Sequence, residues 1–169
     1  MQQEKKRMPL VIDDGGAEAA GYRGRGRDCV TRAIAIASGV DYQVVADAIV
    51  EEAKKERPGS RRRQGKRSTP QSGVFKATYA RYLKTLPCEW VPVMGIGTGC
   101  RMHLMADELP QGRLIVSLSK HLTAVIDGVI HDTYDPQREA YSSDTTWSDG
   151  VKTVTHRILY RCVYGYWRF

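Results

Sequence analysis

A cysteine placed to open a helix, and a histidine far downstream on a β-rich hairpin, are the two side chains of this chain best suited to chemistry. Cys29 stands in GRGRDCVTRAIAIASG, and His121 stands in RLIVSLSKHLTAVIDGVIHDTYDP. The thiolate is the nucleophilic form of cysteine, and the unpaired N–H groups and partial positive charge of a helix N-terminus lower a thiol pKa. Such a thiol is useful as a nucleophile only beside a base, and His121 is the candidate. The pair predicts hydrolysis through a cysteine nucleophile.

Local patterns define the elements that must position the pair. LVIDDGG predicts a short strand before the Gly-rich approach AGYRGRGRD. Asp28 is the expected N-cap, CVTRAIAIAS reads as a buried Ala/Ile-rich helix, and Gly39 ends it. Asp41 opens a second helix, DYQVVADAIVEEAKKE, in which Val44, Val45, Ala48 and Ile49 recur at helical spacing. A third helix runs through SGVFKATYARYLKTL, with Val74, Tyr79, Tyr82 and Leu83 near one face, until Pro87 stops it. The period then changes. EWVPVMGIG reads as a strand and turn, HLMADELP as a helical turn, and RLIVSLS, HLTAVID, VIHDTYD and HRILYRCVYGYW as strands. Helices first and an antiparallel sheet after predict an α+β fold. With no repeat and no linker in view, residues 1–169 form one expected domain, with a loose tail over 1–10 and a mobile basic loop over 54–67.

The hairpin carries the geometry. Asp127-Gly128 between two β-rich runs signals a two-residue type I′ turn. That turn sets Ile126 opposite Val129, Val125 opposite Ile130, Thr123 opposite Asp132 and His121 opposite Tyr134. Side-chain alternation then gathers His121, Thr123, Asp132 and Tyr134 on one face, with His131 and Asp135 on the other. His121 and Asp132 become diagonal neighbours about 7–8 Å apart, a gap long or aromatic side chains bridge. An imidazole bonded through one nitrogen to Asp132 presents its other nitrogen to a thiol, which is the arrangement of nucleophile, base and orienting carboxylate.

A helix-starting Asp28-Cys29, followed by a sheet carrying His121 and an Asp in that order, resembles the papain-like cysteine peptidase superfamily. The Asp-Cys pair is especially similar to that of the bacteriocin-processing peptidase domains of ABC exporters, where a His and an Asp before Pro complete the site. GRDCVTRAIAIASG, ADELPQGRLIVSLSKHLTAVIDGVIHDTYDP and CVYGYW also look like a family of small phage and bacterial proteins. The resemblance implies a papain-like fold, with the N-terminal helices packed on a C-terminal antiparallel sheet. It also implies cleavage of a peptide, isopeptide or related amide. Two departures stand out. The residues before Cys29 contain no Gln to help form an oxyanion hole, which leaves backbone N–H groups at Asp28 and Cys29 as candidates. The orienting carboxylate is also double: Asp135-Pro136 matches the family's Asp-Pro, whereas Asp132 matches the strand face, and the face argument favours Asp132.

The charge looks like a nucleic-acid signal until it is located. The chain has 26 Lys/Arg against 19 Asp/Glu, a net of +7. KKERPGSRRRQGKR, residues 54–67, holds eight basic residues and one Glu, leaving 18 of each sign elsewhere. Arg61, Arg62, Arg63, Lys66 and Arg67 are the candidate contacts for a nucleic acid or an acidic protein. The alternative function is therefore a basic-loop nucleic-acid-binding protein, or a phage–host interaction module, on a papain-like scaffold.

No apolar run approaches the ~20 residues that span a bilayer, and nothing near the start reads as a secretory signal. The four cysteines, at 29, 88, 100 and 162, lack CxxC pairing and predict reduced thiols in a cytoplasmic protein, with Cys88, Cys100 and Cys162 as core or incidental residues. No ligand pair has zinc spacing, so no metal and no cofactor are expected. Gly95-Ile96-Gly97-Thr98-Gly99 lacks a following Lys-Ser/Thr and reads as a turn. His103, His131 and His156 read as structural or solvated, and the aromatics of YGYWRF as core or sheet edge.

Overall fold

The computed structural model describes residues 7–23, 26–57, 66–137 and 140–169, with only the backbone described at 140–144 and 155–159. In chain order the elements are β1 (Leu10–Ile12), α1 (Cys29–Ser38), α2 (Tyr42–Lys54), α3 (Lys76–Leu83), β2 (Glu89–Pro92), β3 (Arg113–Leu118), β4 (His121–Ile126), β5 (Val129–Asp132), β6 (Ala140–Ser148), β7 (Val151–Leu159) and β8 (Gly165–Arg168). A six-stranded sheet has the order β1-β5-β4-β3-β8-β2, and β6 and β7 form a separate hairpin. Only β1, parallel to β5, departs from antiparallel pairing. The architecture is α+β, helices before a mostly antiparallel sheet.

Eight consecutive residues of α1, Val30 to Ala37, are buried, because the helix is enclosed between the sheet and α2. Small alanines let it approach β4, and Ile34 fills the space between the layers without exposure. Full burial of a side chain such as Ile34, Ile49, Leu83 or Ile115 contributes roughly 1.5–3 kcal/mol. A second core on the strands includes Met8, Leu114, Val116, Val125, Ile130 and Tyr166.

Both ends of α1 are tied down. Gly39 adopts a left-handed φ of 74° and its N–H returns to Ala35 O, which closes the last turn. Arg113 of β3 donates to the carbonyls of Ala37 and Ile36 at 2.6 and 2.7 Å, placing a cation at the negative end of the helix. Thr31 Oγ1 donates to Pro70 O at 3.0 Å, and Arg27 N donates to Gln71 O at 2.9 Å. The segment before α3 is thereby held against the start of α1.

Several expectations need correction. Asp28 occupies the N-cap position but makes no side-chain cap; its carboxylate goes instead to Arg32 and Tyr42. The buried side of α2 is Tyr42, Val45, Ala46, Ile49 and Ala53, while Val44 is exposed. Residues 7–10 are not a loose tail: Met8 is buried, its N–H donates to Gln137 at 2.7 Å, and Leu10 begins β1. The rest of the expected tail, 1–6, lies outside the described residues. Cys100 and Cys162 are not thiols but a disulfide, with Cα atoms 5.8 Å apart, inside the range that a bridge requires. Of the two settings expected for the C-terminal aromatics, Tyr166 and Trp167 take the core: both are buried in β8, an interior strand between β3 and β2. At Gly165 of that strand a Cβ would lie 2.5 Å from the Trp90 ring, so only glycine fits. The basic segment begins inside α2, and its residues 58–65 lie outside the described residues.

Candidate active site

The first residue of α1 and the first residue of β4 meet at one end of the sheet. Cys29 opens α1, so its own N–H is among those that a helix leaves without an intrahelical partner. His121 opens β4 after the Ser119-Lys120 turn, where Lys120 takes a positive φ of 55°. His121 and the main chain of Leu122 lie near enough to the Cys29 sulfur to stabilise its thiolate form.

The β4–β5 hairpin brings the third group. Asp127 and Gly128 both have positive φ, 48° and 77°, as a type I′ turn requires. Ile126 pairs with Val129, Val125 with Ile130 and Ala124 with His131. β5 ends at Asp132, and Tyr134 lies beyond the ladder. Asp132 Oδ2 is 2.7 Å from His121 Nε2, and both side chains are buried. A carboxylate can only accept, so Nε2 carries a proton and Nδ1 is the nitrogen left for other partners. Asp135, the alternative orienter, is ion-paired with Arg7 and accepts from Gln137 N; it has no bond to His121.

Electrostatics at the site favour an ionised pair. Burial alone would raise the Cys29 thiol. The hydrogen bonds from His121 and Leu122, with the positive charges of His121 and Arg32, outweigh it and hold the thiol below its ordinary value. Burial likewise disfavours a charged His121, but its bonds to Asp132 and Cys29, and their negative charge, raise it above the usual imidazole value. Cys88, the other free thiol, is raised by burial with nothing opposing it.

Two contributors carried no role in the sequence reading. Arg32 lies in the buried face of α1, its Nη1 2.8 Å from Asp28 Oδ1 and its Nη2 3.9 Å from Asp132 Oδ1. It links the residue before the nucleophile to the carboxylate behind the base. A signal for it was present, since Arg32 is the one charged residue of α1 and stands four residues after Asp28. Tyr134 has its hydroxyl 3.1 Å from His121 Nδ1 and its ring centroid 5.1 Å from the imidazole. Hairpin alternation had grouped it with His121 without assigning it a function.

A cavity of about 510 Å³ opens near the start of α1, lined by Asp28 and Arg32 and by Asp14, Glu18, Arg23, Gln71 and Thr133; neither Cys29 nor His121 lines it. Tyr79, from α3, is buried, and burial with the nearby Cys29 charge pushes its phenol to about 12.

The remaining sequence candidates are elsewhere. Lys66 and Arg67 are exposed, whereas Arg61, Arg62 and Arg63 lie outside the described residues. Lys54 and Lys55, at the start of the basic segment, are paired with Glu51 and Glu52 of α2. His103 faces Glu108 at 3.1 Å, His131 faces Asp13 at 3.3 Å, and the His156 side chain is not described. Thr98 closes the Gly95–Gly99 turn through its hydroxyl and Gly95. Among the described residues no group of three His, Cys, Asp or Glu is placed to hold a metal ion, and no helix is long and apolar enough to cross a membrane. No family model, no curated protein and no solved structure matches this chain.

Proposed function

We propose that this chain is a cysteine hydrolase of amide bonds, a peptidase, isopeptidase or amidase of papain-like type. One observation carries the reading: His121 is bonded through Nε2 to a buried carboxylate and lies beside a thiol at the first residue of a helix. Cys29 attacks the acyl carbon as thiolate. His121 receives the thiol proton at Nδ1 and returns it to the leaving amine. Asp132 keeps the proton on Nε2 in the neutral ring and stabilises the charged ring. The Cys29 N–H is the main-chain donor for the oxyanion. The cavity near the start of α1 has a polar and charged lining, including Asp28, Arg32 and Gln71, that suits a substrate with hydrogen-bonding groups.

The test is competitive labelling of the folded protein with iodoacetamide, followed by peptide mapping. Cys29 is expected to react faster than Cys88 near neutral pH, and His121→Ala is expected to abolish the difference. Equal labelling of the two thiols in the wild-type protein would remove the proposal's support.

A further inference from the structure

Resting on that reading, the geometry points to a second chemical role at the site. We propose that Tyr134 is a further catalytic residue, whose hydroxyl donates to the substrate's acyl oxygen as negative charge develops there.

Nε2 of His121 is committed to Asp132, so neutral imidazole offers one lone pair, on Nδ1. The Tyr134 hydroxyl lies 3.1 Å from that nitrogen, and the Cys29 thiol lies beside the same imidazole. Burial and the Asp132 charge push the Tyr134 phenol above its ordinary value, so it keeps its proton at neutral pH and can only act as a neutral donor or acceptor. Once the thiol proton moves to Nδ1, that nitrogen becomes a donor and no longer accepts from Tyr134. The hydroxyl hydrogen is then released from its resting partner at the step that creates the thiolate.

The acyl oxygen is the new acceptor. As Sγ bonds to the acyl carbon, the C=O π electrons move onto oxygen, and that charge needs donors. The helix start supplies the Cys29 N–H. Among the other polar side chains at the site, Arg32 is engaged by Asp28 and Asp132, whereas Tyr134 is half exposed, lies past the end of β5 and has its hydroxyl beside the reacting nitrogen. Tyr134 gives a hydrogen bond and no proton. The C–N bond then breaks, the electron pair returns from oxygen to carbon, and the Nδ1 proton goes to the leaving amine.

Two probes of Cys29 separate this role from packing. Iodoacetamide alkylates sulfur with loss of iodide and forms no acyl oxyanion. p-Nitrophenyl acetate acylates sulfur through a tetrahedral oxyanion and releases p-nitrophenolate. In Tyr134→Phe the ring is kept, so the alkylation rate is expected to hold or to rise as the thiol gains sole use of Nδ1. The ratio of acylation to alkylation rate constants is expected to fall by at least about tenfold, towards the ~10²–10³ typical of losing one oxyanion donor. A smaller fall overturns the assignment even where Cys29 remains hyper-reactive. Wild-type Cys29 labelling no faster than Cys88 is the separate outcome that overturns the hydrolase reading, and this role with it.

Discussion

Asp132 Oδ2 lies 2.7 Å from His121 Nε2, whereas Asp135, three residues on, spends its carboxylate on Arg7 and the Gln137 N–H. Asp132→Asn is therefore expected to slow iodoacetamide alkylation of Cys29 by about tenfold or more, since an amide neither fixes the imidazole tautomer nor balances its charge. Asp135→Asn should change the rate by less than about twofold, in keeping with a substitution outside the contact network. The reverse ranking, read by mass spectrometry of quenched time points, would give the orienting role to Asp135.

The pH dependence follows from two opposed shifts. Cys29 is held below its ordinary value and His121 above its own, and each group favours the charged form of the other. The midpoint of the alkylation rate against pH should lie below the ~8.5 of a free thiol, and His121→Ala should move it upward. The linked stability has matching signs. The Cys29 contribution is present above the ordinary thiol value and lost as pH falls through the folded one. The His121 contribution is present below the ordinary imidazole value and lost as pH rises through the folded one. An identical midpoint in both proteins would contradict the coupling.

The thiol count tests the Cys100–Cys162 bridge. Protein unfolded without reductant should titrate two thiols, Cys29 and Cys88, and four after reduction. The bridge closes a loop between positions 62 apart, so the double serine variant should lose up to about 4 kcal/mol of stability on the chain-entropy model. Denaturant unfolding measures it, and no loss would mean that other contacts already hold the loop.

Glu56 closes the basic segment at its base. It accepts from Ser68 N at 2.9 Å and from Thr78 Oγ1 at 2.5 Å, joining the end of α2 to the start of α3. Burial would raise its carboxyl, but these bonds and the Arg81 charge hold it below the usual value. Its contribution is therefore present above the ordinary carboxylate range and lost as pH falls through the folded value. Glu56→Gln should cost about 1–2 kcal/mol at neutral pH, as for a partly solvated charged hydrogen bond, and nothing in strong acid. Urea unfolding at the two pH values checks both statements.

The charge excess of residues 54–67 predicts where any polyanion binds. Replacing Arg61, Arg62, Arg63, Lys66 and Arg67 by Gln should abolish filter retention of duplex DNA at low salt while Cys29 keeps its alkylation rate. In the parent protein the affinity should fall with salt at a log–log slope near −0.9 per phosphate neutralised. No retention of DNA or RNA by the parent would eliminate nucleic acid as a partner.

By itself the sequence determined what depends on short-range chemistry. Asp127-Gly128 permits the two positive φ values of a tight hairpin turn, and that turn brings Asp132 to His121. The alanine-rich run after Asp28 makes Cys29 the first residue of a helix, and Gly39 ends it. Tertiary structure decided the rest. Val44 faces out and Tyr42 faces in because α2 buries the side that meets α1 and α3, and periodicity does not rank two overlapping stripes. Met8 is buried because Gln137 and the neighbouring strands receive it, more than a hundred residues away. Arg32 reaches Asp132 across a similar distance in sequence, and Cys100 finds Cys162 only once their loops are brought side by side. Local dihedral preferences and hydrophobic period act over a few residues, whereas these contacts exist only after the helices have docked on the sheet.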